Sequence, residues 1–418
     1  MASSIKQIIF LGDGIGDRPV PALGGKTPLE YQETPALDLV AREGECGLMY
    51  PIRPGLPAGS DTAHMALLGY DPFQYYLGRG PFEAKGAGLD VRPGDLAFRC
   101  NFSTLTGGVI SDRRAGRIKS GTAQLADALN QAFAGGIDGV QVIVKESVEH
   151  RAALVLRGEG LSMKVTDVDP HEADVPPLKC TPVPGAEEDP AAQRTAAVVN
   201  EFVRRAQEVL EQAPVNQERR AQGLPPANIL LPRGVGTAPH LKPFSEQWGL
   251  RGAMIVEVDL VRGLGMYLGM DVVQVPGATG GADTDELALA RAAVAALEDH
   301  DFILCNLKAP DLGGHDSLPQ AKCEAIAKVD RAVGYLLDAL DFSHAVMMIG
   351  GDHCTPITVG DHTGDGIPVA FYGHGVRTDY VESYGERPCA TGSLGRIRGA
   401  DVMYLLGNYA GTVHKFGA

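Results

Sequence analysis

Three short uncharged runs constrain this chain most: FILCN (302–306), AVMMI (345–349) and PVAFY (368–372). Between and before them lie helix-forming stretches. ELALARAAVAALE makes Asp285–Glu298 a predicted helix with Asp283 or Thr284 as its cap, and Gln320–Leu340 is predicted as a long amphipathic one. Strands that are apolar along their whole length leave no face for water. They require helices on both sides of a buried, mostly parallel sheet. The same alternation opens the chain, with a strand at Gln7–Leu11, a helix at Thr34–Glu43, a strand at Cys46–Tyr50 and a helix beginning at Ser60. The expected class is α/β.

The middle of the chain has a different texture. Predicted strands at Val140–Lys145, Ala152–Leu156 and Met163–Thr166 are shorter and have more polar neighbours. A helix at Ala191–Glu211 follows, and the Pro- and Gln-rich stretch Gln212–Pro226 reads as an exposed loop. A chain of 418 residues is too long for one simple core. The division expected is a smaller α+β domain at 95–235, inserted into a sheet domain built from 1–94 and 236–418.

A formal charge of −15 makes nucleic acid and anionic membranes poor partners. An anionic small substrate would need a local basic pocket. The seven cysteines are odd in number, scattered and without a CxxC pair. That usage reads as reduced thiols in the cytoplasm. The opening run MASSIKQIIFLGDG is too short for a signal peptide or a membrane span and reads as a first strand.

In a parallel sheet, functional groups gather beyond the carboxyl ends of the strands. Asp13 follows the first strand. Asp311 and His315 follow FILCN in APDLGGHDS, Asp352 and His353 follow AVMMIGG, and His362 comes shortly after in GDHTGDG. Ser60 heads a helix in LPAGSDTAHMALLGY. Its hydroxyl is either a helix cap or a nucleophile at the positive end of the helix. Asp61 and Thr62 need only capping and first-turn roles. Any one of these residues reads most simply as a turn or cap. Together they make a mixed carboxylate and imidazole set that suits two divalent ions such as Mn, Zn or Co better than Ca. Two such ions can activate a hydroxyl and clamp a phosphoryl group. His64, Cys354, Asp316 and Asp361 read as packing, turn or supporting residues.

The basic pocket is expected in the middle block. SDRRAGR carries Arg113, Arg114 and Arg117 beside Asp112, His150 and Arg151 adjoin a strand, and Arg233 lies in LLPRGVG. Guanidinium forks match phosphate and carboxylate oxygens.

Longer motifs run nearly end to end: DGIGDRPVPALGGKTPLE, LPAGSDTAHMALLGYDP, YLGRGPFEAKGAGLDV, FRCNFSTLTGGVISDRRAGRI, HRAALVLRGEGLS, VDPH, PDLGGHD, GGDHCTP, GDHTGDGIPV and LGRIRGADVMYLL. In these the chain resembles the cofactor-independent phosphoglycerate mutases, in particular the archaeal-type branch, within the alkaline phosphatase-like metalloenzymes. The resemblance implies an alkaline phosphatase-like sheet with helices on both faces and the inserted domain as a water-excluding lid. It implies Ser60 as the nucleophile, one metal on Asp13, Ser60, Asp352 and His353, and the other on Asp311, His315 and His362. It implies substrate contacts from Asp112, Arg113, Arg117, His150, Arg151 and, at a looser match, Arg233. The implied reaction interconverts 3-phosphoglycerate and 2-phosphoglycerate through phosphoserine. Manganese is the first choice among Mn, Zn, Co and Mg, and no 2,3-bisphosphoglycerate takes part. The implied partner is thus a small phosphorylated acid. Two other readings stand beside it. One is a metal-dependent phosphohydrolase, or a mutase for another phosphorylated or phosphonate acid. The other is a binding protein without catalysis, which the presence of all seven ligand and nucleophile residues disfavours.

Overall fold

The computed structural model describes residues 5–417. Strands β1 (Lys6–Gly12) and β2 (Glu45–Tyr50) come first. Strands β3 (Leu96–Thr106), β4 (Val109–Asp112), β5 (Gln141–Glu146), β6 (Arg151–Arg157) and β7 (Ile229–Gly236) form a second sheet. Strands β8 (Gly252–Ile255), β9 (Asp271–Val272), β10 (Phe302–Leu307), β11 (Ala345–Gly350), β12 (Ile367–Gly373) and β13 (Gly395–Arg398) return to the first.

The first sheet has eight strands in the order β13-β2-β12-β11-β1-β10-β8-β9. Strands β1, β10 and β11 are buried along nearly their whole length, as their apolar runs require. They run parallel, with Gly12 opposite Leu307 and Leu11 opposite Gly350, so their carboxyl ends finish level. Strand β12 is antiparallel to both β11 and β2. Its first residue therefore lies at the same edge where β11 ends. The whole connection 351–366 stays at that edge, which is how His362 returns beside His353. Helices Glu286–Ala296 and Pro319–Ala339 pack against each other and cover this sheet. The cap of the first is Asp285, whose carboxylate accepts from Ala288 N, not Asp283 or Thr284. Thr284 instead donates to the buried Glu257 carboxylate.

The second sheet is antiparallel. Strand β3 pairs β6 over Leu96–Asn101 and β7 over Ala97–Ser103. One face carries Phe98, Cys100, Phe102, Leu154 and Leu156 into a core shared with the long helix Pro190–Gln212. Met163–Thr166 does not form a strand, and only Val165 makes an isolated bridge, to Pro182. The expected loop 212–226 contains a helix, Pro214–Ala221. Its Pro at the first position is compatible with a helix start, and buried Asn216 bonds Leu210 O and Ala227 O on either side.

The chain divides into two compact units. One runs through Tyr75, then Leu241–Glu257, then from Leu268 onward; the other is Tyr76–His240 with Val258–Tyr267. The division thus falls at 75 and 240 rather than at 94 and 235. Glycine packing ties Val258–Tyr267 into the second unit. A Cβ on Gly86 would strike Asp259 O, and one on Gly263 would strike Phe82 O, so helices Gly80–Gly86 and Asp259–Tyr267 meet backbone to backbone. Among the described residues, no helix is long and apolar enough to cross a membrane.

Candidate functional site

Ser60 is the first residue of helix Ser60–Leu67, and the cap position belongs to Gly59. At this end Thr62 Oγ1 donates to Gly59 O, and Asp61 Oδ1 accepts from Thr62 N. The Ser60 hydroxyl is buried and lies 3.3 Å from His353 Nε2. Its hydroxyl faces His353 and makes no capping hydrogen bond.

The three strand ends of the first unit deliver the rest. Asp13, Asp352 and His353 offer ligand atoms within 4.8 Å of one another, and so do Asp311, His353 and His362. His315 gathers with His362 and the exposed Asp361, a residue expected to serve only a turn or supporting role. His315 Nε2 is 3.4 Å and His362 Nε2 3.6 Å from Asp311 Oδ1. The His353 and His362 rings stack at 3.5 Å between centroids. Gly14 makes this approach possible. It has φ +59° and donates its N–H to Asp352 Oδ1, and a Cβ there would lie 2.7 Å from Asp311 Oδ1.

The donor chemistry fits divalent ions. His315 Nδ1 bonds Gly360 O and His362 Nδ1 bonds Ala58 O. A carbonyl only accepts, so each Nδ1 carries the proton and each Nε2 keeps a free lone pair. Thr355 Oγ1 donates to Asp311 Oδ1 at 2.7 Å and so accepts from His353 Nδ1 at 3.0 Å, which frees that Nε2 too. Buried Lys322 fixes this threonine's loop by donating to Thr355 O and Gly16 O while pairing with Asp17. Asp352 Oδ2 is buried and accepts no hydrogen bond among the described residues.

Electrostatics reinforce the reading. Burial, with the Asp352 charge beside it, pushes Asp13 up to about 8 against the pull of Lys308. Burial pushes His353 down to about 3, so its ring stays neutral and able to ligate. Burial alone would raise Asp311, but the Lys308 ammonium 2.7 Å away holds it well below the usual carboxylate range.

In the second unit, Asp169 is fully buried and receives a forked contact from Arg113, with Nη2 at 2.9 Å from Oδ2 and Nε at 3.3 Å from Oδ1. Arg233 Nε lies 3.5 Å from the same carboxylate. Arg151 begins β6 opposite Asn101. His150 is buried, and desolvation with the charges of Arg151, Arg114, Arg99 and Arg117 pushes it down to about 3. Asp112, expected as a substrate contact, spends its carboxylate on the N–H groups of Arg114 and Gly116 and shapes the turn. Arg117 sits in that turn with φ +52°.

Residues 41–216 match the sequence model of the family described as 2,3-bisphosphoglycerate-independent phosphoglycerate mutase. A protein of that name from Methanopyrus kandleri is 49% identical over 99% of this chain and 98% of its own. One from Pyrococcus furiosus is 47% identical over 99% of both chains. The chain belongs to that family. Among solved structures, a cofactor-independent phosphoglycerate mutase from Thermoplasma acidophilum superposes with TM-score 0.68 at 40% identity, covering 97% of this chain and 100% of that one. A Pyrococcus horikoshii protein superposes with TM-score 0.85, also at 40% identity, over 99% of this chain and 100% of that one.

Four site residues of this mutase-family chain lie outside the set drawn from the sequence. Lys308 Nζ sits 2.8 Å from Asp13 Oδ1 and 2.7 Å from Asp311 Oδ2. Asn306 Nδ2 donates to Asp13 Oδ2 at 2.8 Å. Thr355 links Asp311 to His353, and Asp169 anchors Arg113. Lys308 and Asn306 do follow the strand-end rule in FILCNLK. Thr355 sits beside the GGDH signal, and Asp169 lies in VDPH with no strand to flag it.

Proposed function

We propose that this chain interconverts 3-phosphoglycerate and 2-phosphoglycerate, with Ser60 carrying the phosphoryl group in between. The observation that carries this reading is the uncapped Ser60 hydroxyl, 3.3 Å from His353 Nε2 among the Asp and His donors, in a chain of the mutase family. In the first half-reaction a bond forms between Ser60 Oγ and phosphorus. The bond from phosphorus to the glycerate 3-oxygen breaks, and the serine proton passes to that oxygen. In the second half the glycerate 2-hydroxyl attacks phosphorus. The bond to Oγ breaks and the proton returns to Ser60. Atoms balance without water and without 2,3-bisphosphoglycerate.

Asp13, Ser60, Asp352 and His353 would hold one divalent ion and Asp311, His315 and His362 the other, manganese before zinc, cobalt or magnesium. Bound there, they lower the pKa of a hydroxyl and offset phosphoryl charge. The N-terminus of the Ser60 helix adds N–H donors suited to an anionic phosphoserine. Lys308 contributes a further cation beside Asp13 and Asp311. Asp112, Arg113, Arg117, His150, Arg151 and Arg233 would contact the acid while it is between its two bonded states, the guanidiniums at its carboxylate or phosphoryl oxygens. The buried free thiols agree with a reducing cytoplasm as the place of action.

The test is direct. Acid quenching of the manganese-loaded enzyme during turnover, followed by peptide mass mapping, should find phosphate on Ser60. A labelled peptide elsewhere, or none under turnover, contradicts the reading.

A further inference from the structure

The motif YLGRGPFEAKG and the arginine of FRCN have no role in the mechanism above, yet they meet in the second unit. Glu83, buried in helix Gly80–Gly86, has Oε1 3.4 Å from Arg79 Nε and 3.4 Å from Arg99 Nη1. Arg99 lies on β3 opposite Arg233 of β7. Two residues along, Asn101 is opposite Arg151 of β6. The alternation of a strand puts Arg99 and Asn101 on one face, the face that carries Ala97, Ala153 and Val155 into a small core with Ala84 of the Glu83 helix. The helix is thus held on the sheet by apolar contacts at one end, with Glu83 reaching the arginines.

Arginines outnumber carboxylates here. Among the described residues, Arg99, Arg113, Arg151 and Arg233 share Glu83 and Asp169. Burial and the neighbouring guanidiniums push Arg99 well below its ordinary range even with Glu83 beside it. A guanidinium does not give up its proton in a protein, so this frustration calls for a further negative charge. The donors agree. The Nε–H groups of Arg99, Arg151 and Arg233 are buried and find no acceptor among the described residues. A buried donor left unmet costs about 1–3 kcal/mol, which an incoming oxyanion would recover.

We propose that Glu83 is a positioning residue: it aims Arg79 and Arg99 so that, with Arg151 and Arg233, they receive the carboxylate or phosphoryl oxygens of a small phosphorylated acid. The choice of substrate rests on the mutase reading; the anion site does not. The sign of the effect separates positioning from mere charge. Were Glu83 only to subtract from the local positive field, removing its charge would tighten anion binding. Were it to aim the forks, removal would loosen it.

The experiment uses the full chain with manganese and three variants, E83Q, E83D and R99K. E83Q should raise the KM for 3-phosphoglycerate about tenfold while kcat stays within about threefold, since a charge-assisted contact is lost from binding. E83D should recover most of the affinity, and R99K, with its charge but no fork, should behave like E83Q. A lower KM in E83Q overturns the proposal, and so does an unchanged KM accompanied by a fall in melting temperature. Calorimetric titration with inorganic phosphate runs in parallel. If the wild type converts no 3-phosphoglycerate, the mutase reading fails, and weaker phosphate binding by E83Q than by wild type still supports the arginine cluster. Equal or tighter phosphate binding by E83Q overturns it.

Discussion

The two charged regions of this molecule are built on opposite plans. In the first unit, carboxylates and imidazoles crowd the level ends of β1, β10 and β11, and each ring has its Nδ1 tied to an oxygen so that Nε2 is left to bind. In the second unit, Arg99, Arg151 and Arg233 belong to an antiparallel sheet and, with Arg113, outnumber the carboxylates of Glu83 and Asp169 beside them among the described residues. One region has lone pairs to spare and the other has N–H donors to spare. A cation suits the first and an anion the second. A phosphorylated acid handled by divalent ions needs both.

The largest effect is expected at Ser60. Ser60→Ala should lower phosphoryl transfer by at least about 10⁴-fold, because it removes the oxygen that takes the phosphoryl group in the proposed step. Activity near the wild-type level would remove the covalent step.

The next largest effect is expected in the first region. Thr355→Val keeps the shape but cuts the link between Asp311 and His353. Manganese affinity, read by titration of chelator-stripped protein, should fall about 10–100-fold, as is usual when an outer partner of a metal ligand is lost. Unchanged affinity would make the threonine a packing residue. The matching change in the second region is Arg151→Ala. It should raise the KM for 3-phosphoglycerate about tenfold and leave manganese affinity alone, and a fall in metal affinity instead would blur the division of labour.

The smallest effect is in stability. His150 is neutral in the fold, at about 3, and takes a proton in the unfolded chain below about 6.5. The native state therefore binds fewer protons between those values. The stability this group contributes is complete above pH 6.5 and is lost as pH falls toward 3. At pH 5 the loss reaches about 2 kcal/mol. Urea unfolding at pH 7 and pH 5 should show this drop in wild type and a smaller one in His150→Gln. Equal drops would mean His150 does not titrate on unfolding.

The first region was the more legible in the sequence, for a physical reason. Runs such as FILCN and AVMMI announce buried strands, and a polar residue just past such a run stands at a sheet edge. Asp13, Asp311, Asp352 and His353 could therefore be read from position alone. The direction of β12 could not, because an apolar run looks the same in either sense; yet that reversal is what returns His362 to the site. The second region hides its chemistry inside strands and helices. In LAFRCNFSTLT the arginine alternates with core residues and reads as one polar position among several. Glu83 reads as an ordinary helix residue. Neither signals a partner far away in the chain. The helix Pro214–Ala221 was concealed in the same way, since its Pro- and Gln-rich composition suggests a loop and buried Asn216 is what pins it down.

The central claim is that the cation-binding region moves a phosphoryl group while the anion-binding region keeps the acid. Phosphorus NMR of the purified, manganese-loaded chain with 3-phosphoglycerate tests both halves at once. The 2-phosphoglycerate resonance should grow with no 2,3-bisphosphoglycerate added and almost no inorganic phosphate. Accumulation of inorganic phosphate in place of the 2-isomer would contradict it and make the chain a phosphohydrolase.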